Sequence, residues 1–146
     1  MAPFLNVHGV AEFKKNMSNP IEIVKSFYAA LDRGDISSAL ATLHDELEWT
    51  EAERAPYYTG TWHSPEDVYD KLFVPLLRDW EGFSLTPHDF IGSGERVVSL
   101  GAYSGTFKAT GKAMTAPFAH AWIVRGDRIS RFIQYTDTIK IREAMS

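Results

Sequence analysis

The second half of the chain contains four successive segments that are rich in β-branched and aromatic residues. Segments of this length and composition predict β-strands. The sequences between them carry glycines such as Gly94, Gly111 and Gly126, which favour tight turns. We therefore expect a four-stranded antiparallel meander. Its strands are predicted at residues 83–91, 96–107, 114–124 and 129–136.

Helix start signals precede this meander. Asn19 and Ser64 are each followed by a proline, which is typical of a helix N-cap and its first position, and Asp35 can cap a helix in the same way. Pro75 is expected to kink or end the helix that contains it, because proline removes a backbone donor. Three helices are predicted from these caps, at residues 20–33, 36–43 and 65–77.

The remaining elements complete the order of a mixed domain. A short strand is predicted at residues 45–49, followed by a loop at residues 51–61. Asp137 is expected to cap a last helical turn at residues 139–144. Runs of helices followed by runs of strands are typical of an α+β domain, in which helices cover one face of a curved sheet.

Length and charge exclude several classes of protein. The 146 residues suffice for one domain with its own core, assigned to residues 19–146, while residues 1–18 form an N-terminal extension for which no ordered element is predicted. A net charge of −4 without a basic stripe argues against a nucleic-acid partner. The absence of cysteine, of a secretory signal and of a membrane-length apolar run indicates a cytoplasmic protein without disulfides or membrane contact.

Polar residues stand among apolar ones in the last two predicted strands. His120 lies between Phe118 and Trp122 in the alternating pattern, and Gln134 follows Phe132 in the same way. Buried polar groups cost free energy unless they have partners. This hairpin is therefore predicted to form the floor of a pocket.

Four sequence motifs carry a resemblance to a known family. The motifs are Gly60-Thr-Trp62, Gly101-Ala-Tyr-Ser-Gly-Thr, Phe118-Ala-His-Ala-Trp122 and Arg131-Phe-Ile-Gln-Tyr-Thr-Asp137. Together they resemble those of SnoaL-like and ketosteroid-isomerase-like proteins of the NTF2-like superfamily. The resemblance covers residues 20–144 and implies a conical α+β barrel, in which helices pack on a strongly curved, mixed, mainly antiparallel sheet around a pocket. It also implies a homodimer through the outer face of the sheet.

The resembling fold sets the direction of side chains in the last two strands, because alternate residues of a strand point to the same face. Ala119, Ala121 and Ile123 would face outwards, on a smooth surface suited to a second copy of the chain. The cone would be lined by Phe118, His120, Trp122, Phe132, Gln134 and Thr136.

Residues that carry known chemistry in the resembling families differ in this chain. The ketosteroid isomerase aspartate base falls at Trp49 and its oxyanion tyrosine at Phe27, so steroid isomerisation is disfavoured. Its oxyanion aspartic acid falls at His120, and the last-strand carboxylate of limonene-epoxide-hydrolase-like enzymes matches Gln134. A SnoaL-like cyclase would use a histidine and a carboxylic acid, whose nearest counterparts are His120 and Asp137.

His120 is the candidate catalytic residue, because imidazole titrates near neutrality and can act as a general acid or base. The structural alternative is a neutral histidine that is hydrogen-bonded to Gln134 or Tyr103. Gln134 would orient a ligand carbonyl or fix the tautomer of His120. Asp137 is expected to cap the last helix rather than to catalyse.

Aromatic residues supply most of the predicted ligand surface, which suits a flat apolar compound. The candidate substrate-binding residues are Trp49, Tyr57, Tyr58, Phe118, Trp122, Phe132, Gln134 and Thr136, with Tyr103 as a further candidate. A solvated rim at the pocket mouth is expected to contain Glu48, Glu51, Glu53 and Arg54. The histidines lack metal-ligand spacing, so no metal site is predicted.

Two functions remain open at this point. One is binding of a small apolar carbonyl compound together with its isomerisation, cyclisation or other acid-base conversion without a cofactor. The other is a non-catalytic ligand-binding or dimerisation module, because one fold can host both.

Overall fold

The computed structural model describes residues 19–146, and the predicted N-terminal extension at residues 1–18 lies outside them. Within this range the α+β class is confirmed, and the predicted elements occur in the predicted order with one additional short strand. The elements are helices α1 (Pro20–Asp32) and α2 (Ile36–Ala41), strands β1 (Leu43–Thr50) and β2 (Thr61–Trp62), helix α3 (Pro65–Val68), a π-helical turn (Tyr69–Phe73), helix α4 (Val74–Asp79), strands β3 (Trp80–Ser93), β4 (Arg96–Phe107), β5 (Ala113–Arg125) and β6 (Arg128–Thr136), and helix α5 (Thr138–Ala144).

The predicted cap residues begin their helices with side-chain hydrogen bonds. Each side-chain oxygen accepts from a backbone N–H three residues later, which satisfies a donor that the first helical turn leaves unpaired. The bonds run from Glu22 to Asn19 (3.5 Å), from Ser38 to Asp35 (3.0 Å), from Asp67 to Ser64 (3.2 Å) and from Lys140 to Asp137 (3.3 Å).

Pro75 does not end its helix, contrary to one of the two predicted outcomes. The chain stays helical through Asp79, and the π-helical turn lies immediately before α4, in which Pro75 occupies one of the first two positions. A π-helical turn is a known way for a helix to absorb a distortion such as the missing donor of proline.

The six strands form one open sheet in the order β2-β1-β6-β5-β4-β3. Strands β3 to β6 make the predicted antiparallel meander, and β1 pairs with β6 in parallel. The sheet is therefore mixed and mainly antiparallel, with β2 and β3 as edges that do not join. The barrel implied by the resemblance is thus an open, curved sheet.

Strand β1 begins earlier than predicted, and β2 was not predicted. Leu43 was assigned to the end of α2, but it pairs with Ile129 of β6. Trp62 pairs with Trp49, which makes a short hairpin at the edge of the sheet. Both differences arise from long-range pairing, which local patterns do not encode.

Alternation along β5 follows the predicted phase. Phe118, His120 and Trp122 are buried, whereas Ala119 and Ala121 are half-buried on the opposite face. Helix α1 packs against the sheet with its buried positions Val24, Phe27, Tyr28 and Ala30. The space between this helix layer and the inner face of the sheet contains the candidate site.

Candidate functional site

A pocket with a volume of about 200 Å³ lies between the helices and the inner face of the sheet. Its walls are largely aromatic and apolar, and they include Phe27, Trp49, Leu72, Phe73, Trp80, Phe83 and Phe132. Its polar lining consists of Asp32, Glu51, Tyr57, Ser84, Tyr103, His120 and Gln134. Pockets of this kind, with apolar walls and a few converging polar groups, bind small organic molecules.

Six of the residues predicted for the site line this pocket together: Trp49, Tyr57, Tyr103, His120, Phe132 and Gln134. The indole of Trp49 stacks on the ring of Phe132, with ring centroids 3.8 Å apart. This contact follows from the parallel pairing of β1 with β6, which sets the two residues opposite each other. The pair forms a flat aromatic wall.

The other predicted residues lie outside the lining. Tyr58 is half-buried in the loop before β2. Phe118 stacks on the face of His120 at a centroid distance of 3.9 Å, and its ring lies over Gly101, where a Cβ atom would come within 2.6 Å of it. The hydroxyl of Thr136 donates to the Pro117 carbonyl (2.8 Å).

Asp137 and Trp122 also have partners within the fold. Asp137 caps α5, as the sequence favours. Trp122 is buried behind the pocket, and its indole N–H donates to Oγ of Ser99 at 2.9 Å. Trp122 therefore contributes to a buried polar cluster rather than to the pocket wall.

The amide orientation of Gln134 is fixed by its two partners. The backbone N–H of Ala52 donates to Oε1 of Gln134 (3.0 Å), and a backbone N–H can only donate. The other end of the amide therefore presents its N–H groups, and Nε2 donates to the hydroxyl oxygen of Tyr103 (2.9 Å). Gln134 thus connects the loop after β1 to the phenol of Tyr103.

His120 has a tyrosine hydroxyl at each ring nitrogen. Nδ1 lies 2.5 Å from the hydroxyl oxygen of Tyr28, and Nε2 lies 2.5 Å from that of Tyr103. Burial holds the pKa of His120 well below its ordinary value of 6.5. The imidazole is therefore neutral, with one nitrogen that donates and one that accepts.

The hydrogen bonds of Ser99 determine which ring nitrogen of His120 carries the proton. The Ser99 hydroxyl is fully buried and accepts from Trp122, so its own hydrogen requires an acceptor. The hydroxyl of Tyr28, 2.6 Å away, is its one such partner among residues 19–146. When Ser99 donates to Tyr28, the hydrogen of Tyr28 goes to Nδ1 of His120, and Nε2–H then donates to Tyr103.

This assignment leaves the hydroxyl hydrogen of Tyr103 unused within the described part of the chain. The Tyr103 oxygen accepts from both His120 and Gln134, while its own O–H has no acceptor among residues 19–146. Tyr103 lines the pocket. Its hydroxyl hydrogen is therefore available for an acceptor in the pocket.

Glu51 was predicted to lie on a solvated rim, and that prediction is wrong. Its side chain is only 6% exposed and lines the pocket, where Oε2 accepts from the indole N–H of Trp49 at 3.1 Å. Burial raises the pKa of Glu51 from 4.5 to about 7. Its charge also contributes to the raised pKa of Tyr103, which indicates that the two groups interact.

Of the three site residues that the sequence analysis missed, only Glu51 has a clear signal in the sequence. Glu51 follows Leu47 and Trp49 at strand spacing, so the alternation of β1 continued by one step points its side chain inward. Tyr28 belongs to the inner face of α1, where its apolar neighbours concealed the role of its hydroxyl. Ser99 is paired with His120 across β4 and β5, which no local pattern reveals.

The arrangement combines three chemical properties. Glu51 can give or take a proton near neutral pH, since its pKa is about 7. Tyr103 can donate a hydrogen bond to an oxygen on which negative charge develops. Aromatic walls exclude water and can stack on a flat molecule. Residues 19–146 contain no cluster of histidine, aspartate and glutamate that could hold a metal ion, and no helix in that range is long and apolar enough to cross a membrane.

Comparison with solved structures supports the fold. An NTF2-like protein from Burkholderia thailandensis is 35% identical, with 87% of this chain and 97% of that chain covered and a TM-score of 0.84. An NTF2-like protein of unknown function from Burkholderia pseudomallei is 30% identical, with 89% and 99% covered and a TM-score of 0.81. TerC, co-crystallized with polyporic acid, is 26% identical, with 86% and 97% covered and a TM-score of 0.77.

No curated protein matches the chain. The family description "SnoaL-like domain" matches residues 24–132, which include most of α1, all of β1, the first part of β6 and most of the pocket lining. Sequence and fold thus agree on one assignment, and the chain belongs to the SnoaL-like domain family.

Proposed function

We propose that this protein binds a small, flat, apolar carbonyl compound and transfers a proton at the carbon next to the carbonyl group without a cofactor. The observation that carries the proposal is the buried carboxyl of Glu51 in the same pocket as the unused hydroxyl of Tyr103. Carboxyl groups with a raised pKa in a cleft are candidates for acid-base catalysis.

The proposed reaction begins with a ketone whose oxygen accepts a hydrogen bond from Tyr103. The Glu51 carboxylate removes a proton from the adjacent carbon, so the C–H bond breaks, a carboxyl O–H bond forms and the electron pair moves to the ketone oxygen as an enolate. Tyr103 stabilises that negative oxygen by its hydrogen bond. Protonated Glu51 then returns the proton to a carbon of the enolate, which gives exchange or isomerisation.

His120 positions Tyr103 in this proposal instead of moving the proton itself. Both of its nitrogens are occupied by tyrosine hydroxyls, and its low pKa keeps it neutral. The Nε2–H group donates to Tyr103, which directs the phenol hydrogen into the pocket. This role replaces the catalytic role that the sequence suggested for His120.

The walls of the pocket favour an aromatic or conjugated ligand. Trp49 and Phe132 are stacked, and Phe27 lies 5.9 Å from Trp49 between ring centroids. Flat molecules gain contact with such surfaces at little entropic cost. The similarity to TerC, which was co-crystallized with polyporic acid, supports a small organic ligand for this chain.

A second candidate function is ligand binding without turnover. Its support is that Glu51 already accepts a hydrogen bond from Trp49 and that both nitrogens of His120 are used within the fold. Under this alternative the polar cluster only orients a carbonyl group. Binding and turnover can be measured separately on one probe compound.

The probe is 2-tetralone, a flat bicyclic ketone with acidic protons next to its carbonyl group. Binding is measured by quenching of tryptophan fluorescence, and proton transfer by the loss of α-proton NMR signals in deuterium oxide above the rate in buffer. Glu51→Gln and Tyr103→Phe should each lower the protein-dependent exchange rate by about 100-fold, the typical loss of an acid-base group or an oxyanion donor.

Glu48→Gln is the matched control, because Glu48 is a neighbouring glutamate whose side chain is exposed. It should leave the exchange rate unchanged. Binding of 2-tetralone without exchange above the buffer rate would reject turnover and leave the binding function. Equal exchange by wild-type protein and Glu51→Gln would reject the assignment of Glu51.

A further inference from the structure

A continuous hydrogen-bond chain runs through the core from β5 to the loop after β1. Its six bonds have lengths between 2.5 and 3.0 Å, and they connect, in order, Trp122, Ser99, Tyr28, His120, Tyr103, Gln134 and the backbone of Ala52. His120, Tyr103 and Gln134 line the pocket. The proposed reaction uses only the Tyr103 hydroxyl, so the direction of the other bonds determines what this hydroxyl offers to a ligand.

Both ends of the hydrogen-bond chain are groups that can donate but cannot accept. At one end the indole N–H of Trp122 donates to Oγ of Ser99 at 2.9 Å. Burial raises the pKa of Tyr28, and hydrogen bonds from Ser99 and Trp122 oppose that rise, so the same indole N–H also lies near the Tyr28 oxygen. At the other end the backbone N–H of Ala52 fixes the amide of Gln134, whose Nε2 then donates inward. Donors therefore enter from both ends.

The two donor directions must meet at a group that accepts twice. The neutral imidazole of His120 cannot be this group, because one of its nitrogens donates and the other accepts. The meeting point is therefore the hydroxyl of Ser99, Tyr28 or Tyr103, whose own hydrogen is left spare. Ser99 is fully buried, Tyr28 is 4% exposed, and both lie outside the pocket lining, to which Tyr103 belongs. The spare hydrogen is thus least costly at Tyr103, where a ligand can accept it.

We propose that the hydrogen-bond chain makes the pocket selective for a ligand atom that accepts at Tyr103, and that Gln134 is the positioning residue that sets this selectivity. A ligand group that only donates would require the Tyr103 hydrogen to turn to His120 and the spare hydrogen to move into the core. A buried hydroxyl hydrogen without an acceptor weakens such binding by about tenfold or more. The favoured ligand oxygen is a ketone or its enolate. The inference rests on the proposed function only for placing the ligand against Tyr103.

Gln134→Glu changes one end of the hydrogen-bond chain from a donor to an acceptor with little change of shape. The introduced carboxylate can still accept from the Ala52 N–H, and its other oxygen can accept the hydrogen of Tyr103. The bonds then run in one direction from Trp122 to the carboxylate, and no hydrogen is left spare. Tyr103 would present only its oxygen to the pocket, so the selectivity should shift from ligands that accept to ligands that donate.

The test uses two flat bicyclic probes of similar size: 2-indanone, whose carbonyl only accepts, and indole, whose N–H only donates. Calorimetric titration gives the ratio of the indole Kd to the 2-indanone Kd. With the introduced carboxyl ionised, Gln134→Glu should lower this ratio by about tenfold relative to wild type at the same pH. At low pH the protonated carboxyl donates as the amide does, so the ratio should return to the wild-type value. A ratio that matches wild type at every pH would overturn the selectivity.

Ala29→Glu is the matched control, because it adds the same charge at an exposed position of α1. It should keep the wild-type ratio. An equal fall of the ratio in Ala29→Glu would attribute the effect to charge alone and refute the role of Gln134.

A measurement on the wild-type protein needs no variant to fold. Nitrogen NMR of His120 should show the Nε2–H tautomer in the complexes with 2-indanone and with indole alike, because neither ligand reverses the hydrogen-bond chain. An Nδ1–H tautomer in the indole complex would show that the bonds reverse readily for a donor, and the proposed selectivity would then be wrong.

The selectivity and the proton transfer fail independently, because the first is an equilibrium property and the second is a rate. A Kd ratio that falls in Gln134→Glu, together with α-proton exchange that does not depend on Glu51, would support the selectivity and reject the proton transfer. Exchange that depends on Glu51, with the same Kd ratio in wild type and Gln134→Glu at every pH, would do the reverse.

Discussion

The hydroxyl oxygen of Tyr28 lies 2.5 Å from Nδ1 of His120, although the two residues are 92 positions apart in the chain. Helix α1 thus delivers a phenol to the centre of the sheet. Through this contact, the hydrogen of Ser99 determines the tautomer of His120 and leaves the hydroxyl of Tyr103 free for a ligand. The first prediction concerns this relationship.

Removing the Tyr28 hydroxyl should destabilise the protein. In Tyr28→Phe both the Ser99 hydroxyl and Nδ1 of His120 lose their partner inside the core. We expect the free energy of unfolding in urea to fall by about 1–3 kcal/mol. Tyr135→Phe, at an exposed tyrosine, should leave it unchanged. Equal stability of the two variants would show that the buried contact contributes nothing.

The tautomer of His120 is open to direct observation. Nitrogen chemical shifts should identify the Nε2–H form, and no imidazolium should form as pH falls through 6.5, the ordinary value that burial lowers. Ser99→Ala should weaken this preference because it removes the hydrogen that directs Tyr28. A wild-type Nδ1–H tautomer would contradict the hydrogen-bond assignment.

Stability should depend on pH through Glu51 and His120 with opposite signs. Between pH 4.5 and about 7, Glu51 is protonated in the folded protein but ionised in the unfolded chain. The free energy of unfolding therefore falls as pH rises through this range. Below pH 6.5 this histidine binds a proton in the unfolded chain but not in the folded protein, so the free energy of unfolding falls as pH falls. The two slopes therefore oppose each other between pH 4.5 and 6.5.

Glu51→Gln separates these effects. Without the carboxyl group, the free energy of unfolding should rise with pH up to 6.5 and then level off, as His120 alone predicts. Relative to wild type, the variant should gain about 3 kcal/mol between pH 4.5 and 7, which corresponds to the shift of the Glu51 pKa. Parallel stability curves for the two proteins would disprove a raised pKa at Glu51.

The outer face of the sheet is expected to join two copies of the chain. Val98, Ala121 and Ile133 are paired across β4, β5 and β6 on this face, and Tyr135 is 57% exposed. Ala121→Arg should therefore convert a dimer to a monomer in light scattering. Ala29→Arg, at an exposed alanine of α1, should not. If the wild-type protein is a monomer at micromolar concentration, the predicted dimer is wrong.

Much of the fold was predictable because its signals are local. Cap residues such as Asn19 and Ser64 mark helix starts through bonds within one turn. The phase of β5 around His120 was implied by the resembling fold together with strand alternation, and the burial pattern follows it. Strand β2 and the parallel pairing of β1 with β6 were less accessible. They depend on partners such as Trp49 and Phe132, which only the folded chain brings together.

The candidate site was only partly predictable for the same reason. His120 and Gln134 stand out as polar residues in apolar strands, so the sequence located the pocket floor. The sequence did not reveal that Tyr28 occupies Nδ1 of His120, since that contact joins distant segments. Glu51 was misplaced because acidic residues are usually exposed, although its strand spacing from Trp49 pointed inward.

The pH dependence of α-proton exchange tests the central claim most directly. Exchange of 2-tetralone by the wild-type protein should increase with pH and level off above about 7, because Glu51 must be ionised to remove a proton. In Glu51→Gln the residual rate should show no such inflection. A wild-type profile without an inflection near neutral pH, or an inflection that persists in Glu51→Gln, would contradict the account.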